Sequence, residues 1–545
     1  MGGDCKLPRS DLGAANATAR HQSAKEDNFT VVIIGGGLAG LMAAAHLAER
    51  GVLPLVLEAD SRWPGGRLAG GDDDVFEYGG KIWHFRPDHG VHAVWGNYNN
   101  FRAALQRFTD TQLIPSTGEE WINRWKREVR TVEAGNAVRW SNIPAPFHYL
   151  QLLLMPQFWR TIIPLDFISL PGYLFSTLWA VGYDPLKERS ALDGLVMKEF
   201  FRGWTPNLRA TFRGLGANLL AAHESEIALT AYVAALRFYT ILRRDAWNME
   251  FFPRNSHDSL IAPLIDSINQ NGGKLLLGST VTRLERSAET WQITYESTIS
   301  NGIRTVYADN VIVALNAPGA ERLLKNSTTT CEEANRIPFP SGLRNVIIRL
   351  WFANQPTTGA SSGMFTGDFV PDNFFWLHRL YLDEFAKWRA SGGSTIELHF
   401  YGDDATLDLP DRNLIVLAVD EVQRAFPEVR GHFVYGVLRR NSKVHTRFRV
   451  PTADSLHVVS PWPNFYAAGD WIGFDTPSFW MERSTVTGIA AANAVLSNYG
   501  HDPYKLLPAA QSGLFVQSIS LFVKLIRVIF SPVVHVGRRL RQSSP

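Results

Sequence analysis

A chain of 545 residues is longer than one simple core serves, and its length argues for roughly two to four domains. With 45% hydrophobic and 19% charged residues it is a globular protein at the apolar end of the usual range. A net charge of +2 gives no reason to expect nucleic-acid binding. The two cysteines, Cys5 and Cys331, are too few for a disulfide framework and lack metal-ligand spacing, so no metal site is expected. The 17 Trp and 32 Phe suit a large apolar cavity, and equally a large core.

Residues 1–28 are polar without an apolar h-region, so no secretory signal is visible. A disordered leader is expected, with a basic, Ser/Ala-containing targeting segment left open. From Thr30 the chain reads TVVIIGGGLAGLMAAAHLAERGVLPLVLEAD. Val31, Val32, Ile33 and Ile34 predict a fully buried strand. The Ala-rich run Leu41 to Arg50 predicts a helix. A second strand, Leu53 to Leu57, ends on Glu58, 18 residues after Gly40. Gly35, Gly37 and Gly40 satisfy GxGxxG. Gly35 permits a tight turn, Gly37 lets a pyrophosphate approach the backbone, and Gly40 allows close helix–strand packing. With Leu38 and Ala39 between them, they lead into a helix N-terminus whose unpaired N–H groups meet the phosphate. Glu58 is placed to accept from the ribose hydroxyls. The glycines alone could be an ordinary turn, but strand, glycines, helix, strand and acid in register predict a dinucleotide site.

Beyond Glu58, Trp63-Pro64-Gly65-Gly66-Arg67 resembles the GGR signature of the flavoproteins that include amine oxidases and carotenoid desaturases. The resemblance implies FAD, with Gly66 close to the flavin side and Arg67 neutralising the pyrophosphate. DHGVHAVWGNYNNFRAAL, residues 88–105, resembles a stretch of carotenoid desaturases, especially the branch that turns cyclic carotene ends into aromatic rings. A helix is expected from Tyr98 to Phe108. His89 and His92 are either hydrogen-bonded loop histidines or part of a loop lining the flavin ring or the channel mouth. Lys81 invites comparison with the amine-oxidase lysine, although its position does not clearly correspond.

Glu119 to Trp140 alternates and predicts a hairpin. The apolar tract Phe147 to Tyr183 is interrupted by Arg160 and Asp166 and holds Pro156, Pro164 and Pro171, so no long uncharged spanning helix emerges. Core helices of a substrate domain are expected there, with a membrane-dipping entrance as the alternative. Residues 184–250 read as helical. A helix Ser259 to Gln270 and a strand Lys274 to Leu277 follow, and Val281 matches the family residue that holds the adenine with its backbone. A strand Asn310 to Leu315 comes next. Residues 340–450 read as mixed strands and loops without a recognisable chemical motif. In residues 461–496 a strand ends at Ala467-Ala468-Gly469-Asp470 and a helix runs from about Met481 to Leu496. This block resembles the FAD-closing signature of carotenoid desaturases. Gly469 permits close approach, Asp470 accepts from a ribityl or ribose hydroxyl, and the helix start at Met481 points donors at the flavin's pyrimidine edge.

The expected fold is α/β. A discontinuous Rossmann-type FAD-binding domain (28–140, 250–320 and 450–500) carries a mixed α+β substrate domain (141–249 and 321–449). The resemblance implies an FAD-dependent oxidoreductase acting on a long polyene isoprenoid, most simply carotenoid desaturation or isomerisation by hydride transfer to flavin N5. A cation delocalised along a polyene makes a dedicated base unnecessary in that reading. One alternative is a flavin amine oxidase, for which Tyr78, Trp83, Trp471 and Phe474 read as an aromatic cage, although they read equally as a polyene tunnel; another is a non-catalytic flavin-binding protein. The tail, 501–545, is expected to lie on a membrane as a peripheral, monotopic anchor on a cytoplasmic or organellar side. Gln517, Ser520, Lys524, Arg527 and Ser531 make one narrow polar stripe on its apolar helix. Spanning would bury Lys524 and Arg527 at roughly 2.5–3.5 kcal/mol each, whereas the interface avoids that cost and lets Arg538, Arg539 and Arg541 meet anionic headgroups. The alternative is a helix packed over an apolar groove with its stripe facing water. The partners expected are an apolar polyene or isoprenoid and a membrane surface, and no nucleic acid.

Overall fold

The computed structural model describes residues 28–86, 88–125, 128–188 and 192–542. The leader before Asn28 lies outside the described residues, as do the side chains of Ser531, Arg538, Arg539 and Arg541. Two sheets, each of seven strands, organise the molecule. The first runs in the order Lys274–Leu276, Pro54–Leu57, Asn28–Ile34, Gly302–Val313, Thr290–Ser297, Ser279–Ser287, with Phe465–Ala467 also against Gly302–Val313. Its centre is parallel: Ile34 sits between Leu57 and Val313. Such strands are covered on both faces, which is why Val31 to Ile34 form an unbroken apolar run.

The helix after the first strand spans Leu38–Glu49 and begins three residues earlier than its composition suggested. Gly37 is its N-cap, so the glycine motif is itself the helix start. Helix Trp480–Asn498 packs along it, with a Cβ at Gly488 only 2.6 Å from the Ala39 carbonyl oxygen. That close approach requires glycine.

The second sheet runs in the order Phe433–Thr446, Gly342–Phe352, Ser394–Phe400, Asn373–Trp376, Ser362–Gly367, Glu119–Trp125, Glu128–Glu133. The hairpin expected between Glu119 and Trp140 therefore exists, but its strands pair in this second sheet, with Ser362 opposite Glu119. A boundary at residue 140 would assign it to the wrong sheet. The pairing is between distant segments, and nothing local in the hairpin reports it. One face of the sheet is apolar: Ile348, Leu350, Ile396, Leu398 and Phe400 pack with Leu414, Ala418 and Val422 of helix Asp411–Ala425. The strand period of two turns the intervening residues, Glu397 and His399 among them, to the opposite face. That face looks into the molecule.

The described residues of 147–242 are mostly helical, in short pieces, with Pro156, Pro164 and Pro171 at helix starts. The expectation of core helices between Phe147 and Tyr183 is only partly met. Leu154, Leu165, Phe167, Ile168 and Phe175 stand exposed, Phe175 at 71%. The tail helix, Leu514–Gln542, lies against helix Leu170–Gly182. A Cβ at Gly182 would lie 2.4 Å from Val523, so glycine sets how closely the two helices meet.

Candidate active site

Between the two sheets lies a cavity of about 860 Å³. The glycine motif forms one end. Gly35, Gly37, Leu38, Ala39 and Glu58 line it together with Gly66 and Arg67. Gly65 N–H donates to the Gly36 carbonyl at 2.8 Å, which clamps the two glycine loops together. A Cβ at Gly37 would find its nearest neighbour, the Gly66 Cα, 4.0 Å away. A cradle open enough for a ligand, and filled by any larger side chain, is what a pyrophosphate site needs. Gly40 does not line the cavity. Its Cβ would sit 2.1 Å from the Gly35 carbonyl oxygen, so it acts in helix–strand packing. Glu58 accepts from Gly36 N–H at 2.6 Å and Asp60 N–H at 2.8 Å, which fixes the carboxylate at the strand end.

Val281, Gly469, Asp470 and Met481 reach the same cavity from three further segments. Arg67 pairs with Asp470 through Nη2, and Thr446 donates to the other oxygen of Asp470 at 2.7 Å. Arg67 Nη1 is buried and has no partner among the described residues, so a donor remains for an anionic ligand. Asn316, Gly319 and Arg322 also line this end, and sequence reasoning passed over them.

His89 and His92 both line the cavity, and Lys81 does not. Lys81 is exposed on a two-stranded hairpin with Tyr78 and Trp83, packed against Trp388. Lys81 therefore stands outside the cavity, and Tyr78, Trp83, Trp471 and Phe474 do not line it. Trp471 donates to the Leu315 carbonyl, and the half-buried Phe474 packs against the core. The loop 88–92 is anchored from the second sheet. Arg349 bonds the Asp88 carbonyl and Val91 N–H donates to Glu397 at 2.7 Å. Asp88 itself accepts from Ser256 N–H and the Tyr381 hydroxyl. Burial lowers His89 to about 4, helped by Arg67 and Arg349, and lowers His92 to about 3, helped by His89. Both rings are neutral at neutral pH, so they are not cationic ligands. His92 contacts the Arg67 carbonyl at 3.1 Å and His89 lies parallel to His445.

Farther from the glycines the cavity has two unlike walls. Trp95, Leu215, Leu219, Trp247 and Met249 form an apolar one. The second sheet supplies the other, with Glu119, Ser362, Asn373, His399, Tyr401, Asn345 and Asn441. None of these was legible as a site. Glu119 is pushed up to about 8 by burial, against a hydrogen bond from Trp121.

The family model for flavin-containing amine oxidoreductases matches residues 38–496. The chain belongs to that family. As a member of the flavin-containing amine oxidoreductases it is an FAD-dependent oxidoreductase, and the glycine cradle with its free Arg67 donor fits the cofactor. Its relatives include the 15-cis-phytoene desaturase of Arabidopsis thaliana, 22% identical over 90% of this chain and 84% of that one. The carotenoid phi-ring synthase of Streptomyces griseus is 26% identical over 87% of this chain and 89% of the relative. In fold the chain is similar to cyclohexylamine oxidase from Brevibacterium oxydans, with a TM-score of 0.61 at 16% identity, over 87% of this chain and 100% of that one.

Proposed function

We propose that this flavoprotein dehydrogenates or isomerises a long polyene isoprenoid, of the carotenoid class, taken from a membrane surface. The observation that carries the reading is the orientation of the tail helix. Ser520 and Arg527 of its polar stripe turn toward the body, donating to the carbonyls of Val181 and Gly182, and Arg527 also pairs with Glu188 at 2.9 Å. The Arg527 guanidinium lies over the rings of Tyr183 and Trp179. Leu521, Phe522, Leu525, Val528 and Ile529 are left facing outward. Phe175, on the helix the tail packs against, is exposed as well, as are Ile168, Leu165 and Leu154. A water-exposed surface this apolar is rare on soluble proteins and marks an interaction site. It suits a helix lying in the interfacial plane, and among the described residues no helix is long and apolar enough to cross a membrane. Tyr173, two residues before Phe175, packs on Phe212, in the same helix as the cavity residues Leu215 and Leu219. A water-insoluble substrate taken from a bilayer would have a short way to travel. The names of the two curated relatives support the same substrate class.

In this reading Gly35, Gly37, Leu38, Ala39, Gly66 and Arg67 hold the pyrophosphate, Glu58 the ribose, and Val281 the adenine. Gly469, Asp470 and the helix start at Met481 close over the cofactor. Bound there, FAD supplies a hydride acceptor. The protein's own part is to align one C–H bond of the polyene and keep water out. Organic extraction of the purified protein tests this reading. Oxidised flavin with a co-purifying polyene is expected. Flavin accompanied by no polyene, even after incubation with carotenoid-loaded vesicles, would overturn it.

A further inference from the structure

We infer that Glu397, His399 and Tyr401 form a proton-accepting triad on the polar wall, and that Tyr401 takes the proton lost when the carbon–carbon double bond forms. The inference rests on the proposed dehydrogenation and replaces the expectation that no dedicated base is needed, since the cation left by hydride loss must still give up a proton. Three alternate residues of one strand and its extension share the face turned away from the core of Ile396, Leu398 and Phe400; His399 and Tyr401 line the cavity, and Glu397 stands behind them. Glu397 is fully enclosed. Burial opposes its ionisation, yet Arg349 and the contact with His399 hold its carboxyl at about 2, so it is an anion. Arg349 donates to Oε2 at 2.7 Å, and Val91 N–H donates to Oε1 at the same distance. His399 Nε2 lies 2.7 Å from Oε1. An anionic acceptor at that distance fixes the ring proton on Nε2 and leaves Nδ1 with a lone pair. The Tyr401 hydroxyl, 2.7 Å from Nδ1, therefore donates to it. Burial raises Tyr401, which keeps the phenol protonated at rest.

The arrangement is that of a hydroxyl activated by a carboxylate-oriented imidazole. A hydrocarbon has no hydrogen bonds to offer this wall, so recognition does not explain its presence. Dehydrogenation removes a hydride from one carbon, accepted by the oxidised flavin, and a proton from its neighbour. The neighbouring C–H bond breaks, and its electron pair becomes the π bond. Its proton passes to Tyr401 Oη as the phenolic proton moves to His399 Nδ1. The imidazolium so formed is paired with Glu397 and later releases its proton to solvent, which restores the triad. Tyr401 is the catalytic residue; His399 and Glu397 position and polarise it.

Two measurements on the full-length protein test this. In the first, the protein is labelled with 15N-histidine and the His399 resonances are assigned from a His399→Gln variant. The proton is expected on Nε2, and the Nδ1 shift should move toward that of a free lone pair in Tyr401→Phe. A proton on Nδ1, or no response in Tyr401→Phe, would overturn the triad. In the second, a carotene in vesicles is mixed anaerobically with each form and the product is quenched and measured. General-base assistance contributes typically ~10²–10⁴-fold, so Tyr401→Phe should lose at least about a hundredfold in desaturated product at normal flavin content. Wild-type product formation by that variant would overturn the triad alone. Failure of every polyene to bleach the wild-type flavin would overturn the substrate reading and this proton step with it.

Discussion

At the scale of single residues, glycines of one motif do different work, and substitution separates them. Gly37 looks onto open space toward Gly66, whereas Gly40 is pressed against the Gly35 carbonyl. Gly37→Val should fold with an unchanged melting temperature and bind no FAD, because the side chain occupies the pyrophosphate's place. Gly40→Val should fail to fold, since 2.1 Å to a backbone oxygen leaves no room. Titrating apoprotein with FAD and comparing thermal melts separates the two. Glu58→Ala should weaken FAD binding by roughly 1.5–3 kcal/mol, the worth of one charge-assisted hydrogen bond. Glu119 has a pH signature of its own. Its folded pKa is raised to about 8 from 4.5. Its contribution to stability is therefore full below pH 4.5 and is lost as pH rises toward 8, by roughly 1.4 kcal/mol per pH unit. Glu119→Gln removes that slope, so the variant should gain on the wild type as the pH is raised from 5 to 7.5. Urea midpoints at the two pH values give the answer, and an equal gap at both would contradict a buried, protonated Glu119.

At the scale of elements, the tail helix is held by a few contacts. Gly182 allows Val523 to sit against helix Leu170–Gly182, and Arg527 caps that helix's last carbonyl. Gly182→Leu should lift the tail, seen as faster proteolysis between residues 505 and 530, while the flavin spectrum stays as it was. Deleting residues 513–545 should release the protein from anionic vesicles with its flavin retained. Loss of flavin on deletion would mean the helix is part of the core. The sequence showed the polar stripe, but not which side it faces. A stripe of Ser520 and Arg527 suits water or a neighbouring helix equally, and only the carbonyls of Val181 and Gly182 decide. The polar wall stayed hidden for a related reason. Glu-Leu-His-Phe-Tyr, residues 397–401, alternates as any half-solvated strand does. Its polar face turns inward because strands 119–133 and 342–446 meet in one sheet, which no local pattern announces. The cofactor end was legible because its constraints are local: a turn, a helix start and an acid within one β–helix–β unit.

At the scale of the whole molecule, two parts of the architecture point the same way. A cofactor cradle and a cavity with one apolar wall lie inside. Outside, Leu154, Leu165, Phe167, Ile168 and Phe175 and several residues of the tail helix expose apolar side chains. Tyr78, Trp83, Trp471 and Phe474 do not line the cavity, so they form there neither an amine cage nor a polyene tunnel. The most direct measurement is anaerobic stopped-flow mixing of the oxidised holoprotein with a carotene in anionic vesicles, and separately with primary amines and polyamines. The expected result is bleaching of the oxidised flavin by the carotene and none by any amine. Rapid bleaching by an amine, with none by carotenoids or other isoprenoids, would contradict the account.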